Sequence, residues 1–133
     1  MSVEGRFYSW TLVAGEDLDD LTPGTGHLFK AVALDDGKIA ANGREAAGIL
    51  LYGGRSAEHV TVGYTGVMKF TTGAAVDKGR RLTVTASGYF VEAGSGTYVV
   101  GRCLDTAVAS GAVGTGAFNF ATIAYMGHSG EIA

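Results

Sequence analysis

Three histidines, one cysteine and a run of acids are the residues equipped for chemistry in this 133-residue chain. His27, His59 and His128 are far apart, and none has a second His, Cys or Asp at ligand spacing, whereas a metal site needs several convergent donors. They are expected in exposed loops. Cys103 would need a histidine as base to act as a nucleophile, but Val99, Val100 and Leu104 mark its surroundings as an apolar strand. A thiol in that setting is a small core side chain. Standing alone, it also rules out an internal disulfide framework. Asp17, Asp19 and Asp20 suggest a calcium loop, yet the central glycine and the closing bidentate acid are missing, and Thr22 stands where the loop should continue. No serine occupies a G-x-S-x-G elbow. Gly94-Ser95-Gly96 and Gly114-Thr115-Gly116 lack the Lys-Ser/Thr and the helix of a phosphate loop, so both are expected to be turns. Paired catalytic carboxylates need one acid in an apolar setting, and the acids here cluster in turn segments. The expectation is a protein that is not an enzyme, with no catalytic, cofactor-binding or metal-binding residues.

The elements around these residues read as strands. Hydrophobic residues make up 47% and charged residues 17%, which supports a packed core and excludes whole-chain disorder. Glycine numbers 22 and proline one, a balance that favours tight turns and close backbone approaches over long helices. Residues 29–34 form a short strand, Asp35-Asp36-Gly37 a hairpin turn, and residues 38–41 the return. Residues 46–52 form an apolar strand of the buried kind, and residues 60–65 alternate with period two. Thr65-Gly66 is expected to turn the chain into residues 67–70. Residues 81–86, 89–91, 97–104 and 117–125 complete the pattern. Roughly eight to ten short strands spaced about ten residues apart are the signature of a single β-barrel or β-sandwich. A weak echo links Gly48-Ile49-Leu50-Leu51 and Val60 to Gly101-Arg102-Cys103-Leu104 and Val113. The fold class is all-β. The organisation expected is an N-terminal arm and acidic loop over 1–28, with a turn at Thr22-Pro23-Gly24. A β-domain over 29–126 and a loose tail over 127–133 follow.

Net charge is −3, which speaks against direct nucleic-acid binding. Charge is unevenly spread: residues 1–36 hold seven acids against Arg6 and Lys30, and the remainder holds eight bases against six acids. Such a split can orient a partner or pair neighbouring copies, but solvated surface is its commoner meaning. The N-terminus has no apolar stretch of the signal-peptide kind, and no apolar run is long enough to span a membrane. Folding in a reducing cytoplasm is expected. The opening segment holds Phe7, Tyr8 and Trp10, the only tryptophan. On a strand Phe7 and Ser9 face one way and Tyr8 and Trp10 the other, so the segment is either a first strand buried on both sides or an arm that docks on another subunit.

The order of segments resembles the capsid cement, or head decoration, proteins of tailed bacteriophages. The resemblance rests on residues 31–40 (Ala-Val-Ala-Leu-Asp-Asp-Gly-Lys-Ile-Ala), Ala46-Ala47-Gly48-Ile49-Leu50, and Val60-Thr61-Val62-Gly63-Tyr64-Thr65-Gly66. It continues through residues 74–84, Ser87-Gly88-Tyr89-Phe90-Val91 and residues 100–107. It covers about residues 29–110. One departure is Lys78-Gly79-Arg80, where such proteins often have Gly followed by Asp. The resemblance implies a compact β-domain of the β-tulip or β-clip type with an extended N-terminal arm. It further implies a homotrimer on the capsid's outer surface that binds the major capsid protein and stabilises the mature head, with no cofactor, nucleic acid or membrane involved. The capsid contacts assigned on this basis are Arg6, Phe7, Tyr8 and Trp10 on the arm and Arg80 and Arg81 on a basic edge. Removing residues 1–12 should then leave a folded module. The alternatives are a phage tail-tube or tail-tip module, a carbohydrate-binding module stacking sugars on Trp10 and Tyr52, and a small enzyme using Cys103 or the histidines.

Overall fold

A computed structural model describes residues 7–20, 26–40, 42, 45–105, 111–120 and 124–126, and every regular element among them is a strand. In chain order these are β1 (Phe7–Val13), β2 (Ala31–Ala33), β3 (Ala46–Tyr52), β4 (His59–Thr71), β5 (Arg81–Val84), β6 (Phe90–Glu92), β7 (Thr97–Val99), β8 (Gly101–Asp105), β9 (Val113–Asn119) and β10 (Ala124–Met126). Eight form one antiparallel sheet in the order β2-β3-β4-β9-β8-β5-β6, with β1 added to β4, and β7 and β10 pair separately. Arg6, the turn at Thr22-Pro23-Gly24, His128 and the tail over 127–133 lie outside the described residues.

The thirteen-residue β4 organises the sheet. Its first half lies between β1 and β3, and its second half pairs with β9. Thr65 and Gly66 are paired on both sides, by Tyr8 and Phe7 and by Asn119 and Phe118. Between the halves the register slips: Ser9 faces Gly63 while Tyr8 faces Thr65, so Tyr64 is an extra residue. A one-residue insertion of this kind reverses which side chains face which side. Val60 and Val62 therefore enter one apolar cluster with Leu12, Leu18, Val32 and Leu50. Tyr64, Met68 and Phe70 turn to the other, larger cluster. Ala47 is an equivalent extra residue in β3, which is why Ala46 and Ile49 join the larger cluster while Ala47 and Leu50 join the smaller. Burial on both faces explains the unbroken apolar run of β3.

The larger cluster sits inside a nearly closed barrel. β4, β9, β8, β5 and β6 follow one another in the sheet, and a parallel bridge from Phe90 to Thr72 returns β6 to the end of β4. Gly73 N–H donates to the Phe90 carbonyl at 2.9 Å and the Thr72 hydroxyl donates to the same oxygen at 2.9 Å. Inside, Phe90 meets Phe70 and Phe118 edge-on at 5.7 and 5.3 Å between ring centres, and Phe118 stacks on Phe120 at 5.7 Å. Edge-to-face contacts of this kind add to the burial itself.

The structure differs from the sequence reading at several places. The expected strands 97–104 and 117–125 are each divided between the main sheet and the β7–β10 pair. Residues 7–13, expected in an arm, form a strand bonded to β4 throughout, and Leu12 and Leu18 help build the smaller cluster. The acidic loop behind it is a strap. Leu18 N–H donates to Gly54 (2.7 Å), Glu16 accepts from Ile39 N–H (2.8 Å), and Asp17 accepts from Ser56 N–H (2.9 Å). Removing residues 1–12 would therefore open a core, not trim an appendage. Thr65-Gly66 is no turn: β4 runs straight through, with Gly66 at φ +117°. Gly114 and Gly116 lie within β9, and a Cβ on Gly116 would sit 2.7 Å from the Phe118 ring. The expected turn at residues 94–96 is present. The echo at residues 48–60 and 101–113 falls on two antiparallel pairs, β3–β4 and β8–β9, with extra residues at the matching positions Leu51 and Leu104.

Close packing of β3 on β4 makes one glycine testable. A Cβ on Gly48 would lie 2.5 Å from the Gly63 carbonyl oxygen and 3.2 Å from Val62 Cβ, and backbone cannot yield as a side chain can. Gly48→Ala is expected to lower stability in urea unfolding by about 1–3 kcal/mol. Gly94→Ala, where the new carbon meets nothing within 4 Å, should stay within about 0.5 kcal/mol.

Candidate functional site

Alternation along β1 puts Tyr8, Trp10 and Leu12 on one face. Leu12 is buried, whereas Trp10 is 40% and Tyr8 63% exposed, so the face leaves the core as it runs toward the N-terminus. Trp10 stands opposite Val62, which stands opposite Leu50, and it borders an open groove of about 430 Å³ with Leu34, Ala46, Ala47, Tyr64 and Phe120. Most of that lining is carbon. The strand carries no charge and no proline, the devices by which exposed strands usually discourage association. The Phe7 side chain and Arg6 lie outside the described residues.

Tyr52 is 70% exposed but belongs elsewhere. It pairs with Thr61, which pairs with Thr11, and side chains of directly opposed residues share a face. Trp10 and Tyr52 consequently occupy opposite faces of the β1-β4-β3 sheet and make no common stacking platform.

The second cluster of expected site residues is the basic edge. Arg80 is exposed and forms a 3.4 Å ion pair with Glu92. Arg81, also exposed, stands directly opposite Arg102 across the β5–β8 pair, and Arg102 Nε donates to the Gly79 carbonyl at 3.1 Å. Arg81 and Arg102 border a groove of about 500 Å³ floored by Gly66, Gly101, Ala117 and Phe118. Arg102 is absent from the sequence-derived set. Only the strand register brings it to Arg81, and no local motif announces a register. The structure does not join the basic edge to the aromatic face: Trp10 lines one groove and Arg81 the other.

The residues considered for chemistry are dispersed. His59 is exposed in β4 opposite Val13, and His27 Nδ1 is buried with no hydrogen-bond partner among the described residues. No group of three metal-ligating side chains comes together among those residues. Cys103 is fully buried, as its apolar neighbours imply, and its Sγ donates to the Asp105 carbonyl at 3.0 Å. Burial makes a thiol inert. A thiol reagent at neutral pH should therefore label Cys103 only at the rate of unfolding, and labelling within seconds in the native protein would contradict its place in the core.

No protein-family model matches the sequence, and no curated protein matches it. Among solved structures, the chain is similar to the head fiber gp8.5 N base of bacteriophage phi29, with a TM-score of 0.64 and 16% sequence identity. The alignment covers 86% of this chain and 96% of that one. At this identity the likeness is one of fold: the strand order and barrel described above are those of a known all-β architecture.

Proposed function

We propose that this chain is a structural protein of a tailed-bacteriophage head, which binds the outer surface of the capsid as a homotrimer and stabilises it by clamping neighbouring major capsid protein subunits. The observation that carries the reading is the fold likeness to a phage head fiber base over nearly the whole of that chain. The segment order over residues 29–110, which resembles decoration proteins, supports it independently. A module of this kind needs no catalytic residue and no cofactor. It works by linkage: binding only the mature lattice stabilises that lattice by RT ln(1 + [L]/Kd), about 3–4 kcal/mol per site at 100–1,000 times Kd. Several interfaces on one trimer compound the effect through effective concentration.

The outward half of β1 is the surface assigned to the capsid. Trp and Tyr are the side chains that most often anchor interfaces, and Tyr8 and Trp10 project from a strand already held by β4, so little ordering entropy is lost on docking. Phe7 and Arg6 extend the same segment. A carbohydrate-binding role is less well supported, because Trp10 and Tyr52 lie on opposite faces.

The test pairs particle analysis with a surface variant. In quantitative mass spectrometry of gradient-purified particles, the chain should sediment with filled heads at a near-constant ratio to the major capsid protein. A chain that stays soluble, or appears in a few copies per particle, would overturn the proposal and favour a tail-tip role. The Tyr8→Ala/Trp10→Ala variant should stay folded by circular dichroism but lose several degrees of melting temperature, because Trp10 is only 40% exposed. Its occupancy on heads should fall by at least about tenfold, the loss expected when interface anchors are truncated.

A further inference from the structure

Two sets of charges on the described surface lack opposite partners. Arg81 and Arg102 are set directly opposite one another, an arrangement that repels. Neither guanidinium has a carboxylate within ion-pair distance among the described residues, whereas Arg55 and Arg80 pair with Asp19 and Glu92. Arg81 and Arg102 both border the groove that runs to one side of them, over Gly66, Gly101, Ala117 and Phe118. A small-residue, apolar floor with a cationic rim fits one kind of guest: a short apolar side chain followed by carboxylates.

The chain carries such a segment itself. Most acids of the N-terminal region are engaged: Glu16 with Ile39 N–H, Asp17 with Ser56 N–H and Asp19 with Arg55 at 3.5 Å. The turn after β2 is different. Leu34 is 59% exposed, Asp35 and Asp36 are exposed, and Asp36 accepts a single bond from Lys38 N–H at 3.0 Å. Asp35 has no ion-pair partner among the described residues. The turn is held rigid by backbone bonds from Gly37 to Ala33 (3.2 Å), from Ala33 to Lys38 (2.7 Å) and from Gly15 to Gly37 (3.0 Å). A preformed guest docks with little loss of freedom.

We infer that the Leu34-Asp35-Asp36 turn of one copy docks in the Arg81–Arg102 groove of the next. Leu34 covers the apolar floor, and the two carboxylates relieve the paired guanidinium groups. The turn and the groove are different patches of one surface, so a head-to-tail contact between them forms a ring where the rotation from copy to copy closes. The ring size, three, rests on the proposed trimer. Arg81 thereby serves the contact between copies in place of the capsid rim.

The experiment is a charge swap on the full chain, read by light scattering after size exclusion over a concentration series. Arg81→Glu/Arg102→Glu and Asp35→Lys/Asp36→Lys should each raise the concentration of half-assembly by roughly 100-fold or more, as like charges now meet. Combining all four substitutions should restore assembly near the wild-type value, which a merely misfolded variant could not do. Far-UV circular dichroism checks that each variant is folded. The inference is overturned if either reversal leaves assembly unchanged, if the fourfold swap stays monomeric, or if the wild type is monomeric at its highest soluble concentration. Head sedimentation is scored separately. A trimer indifferent to both reversals overturns the ring contact and leaves head binding intact. A charge-coupled trimer that never sediments with heads supports the ring contact and overturns the head reading.

Discussion

The extra residue at Tyr64 is the constraint on which the rest of the fold depends. β4 is long enough to serve both the sheet of β1 and β3 and the barrel begun by β9. With strict alternation, Val60, Val62, Tyr64, Met68 and Phe70 would all crowd one face. The slip divides them, so one strand supplies two cores. The switch requires the glycine beside it, since a Cβ on Gly63 would overlap the Met68 sulfur. With the division made, β1 gains a floor for Leu12, the acidic strap gains a socket for Leu18, and the larger cluster, its phenylalanines with Met68, Leu82 and their neighbours, fills the barrel.

The same slip explains what the sequence could and could not reveal. β3 is legible to the residue, because an apolar run over residues 46–52 has one economical home, a strand buried on both faces. The turn at Asp35-Asp36-Gly37 is legible from its residue types, and Gly37 has the positive φ such a turn requires. β4 is misread as two strands because its period breaks where the extra residue sits and Gly66 follows. In a sequence that combination looks the same as a turn. β9 is misread for a related reason. Its Gly116 makes room for the Phe118 ring, a requirement of packing that no turn signal distinguishes.

For the surfaces, residue type was informative and position was not. Residues 7–10 are rich in aromatic side chains, of which Tyr8 and Trp10 are exposed. Whether that segment hangs free or pairs with β4 depends on residues 59–66, far along the chain. Arg80 and Arg81 are neighbours in sequence with different surroundings: one is matched by Glu92, the other confronts Arg102. A sequence can nominate charges, but the register decides which of them are neutralised at home.

This division of surfaces has an energetic logic. Exposed ion pairs contribute only about 0–1 kcal/mol each and weaken with salt, so two arginines and two aspartates alone would not hold copies together. Apolar area, at about 25 cal/mol per Å² removed from water, must supply most of the affinity. Charge supplies orientation and rejects wrong pairings. The two grooves combine these terms differently. The Trp10 groove is almost wholly apolar and would bind its partner strongly but with loose orientation. The Arg81–Arg102 groove adds charge to an apolar floor, and charge fixes direction. A module that must first assemble in a defined geometry and then grip a larger surface needs both kinds of contact. Leu34 borders the Trp10 groove, so seating it in a neighbouring copy would also change one wall of that groove and couple the two contacts.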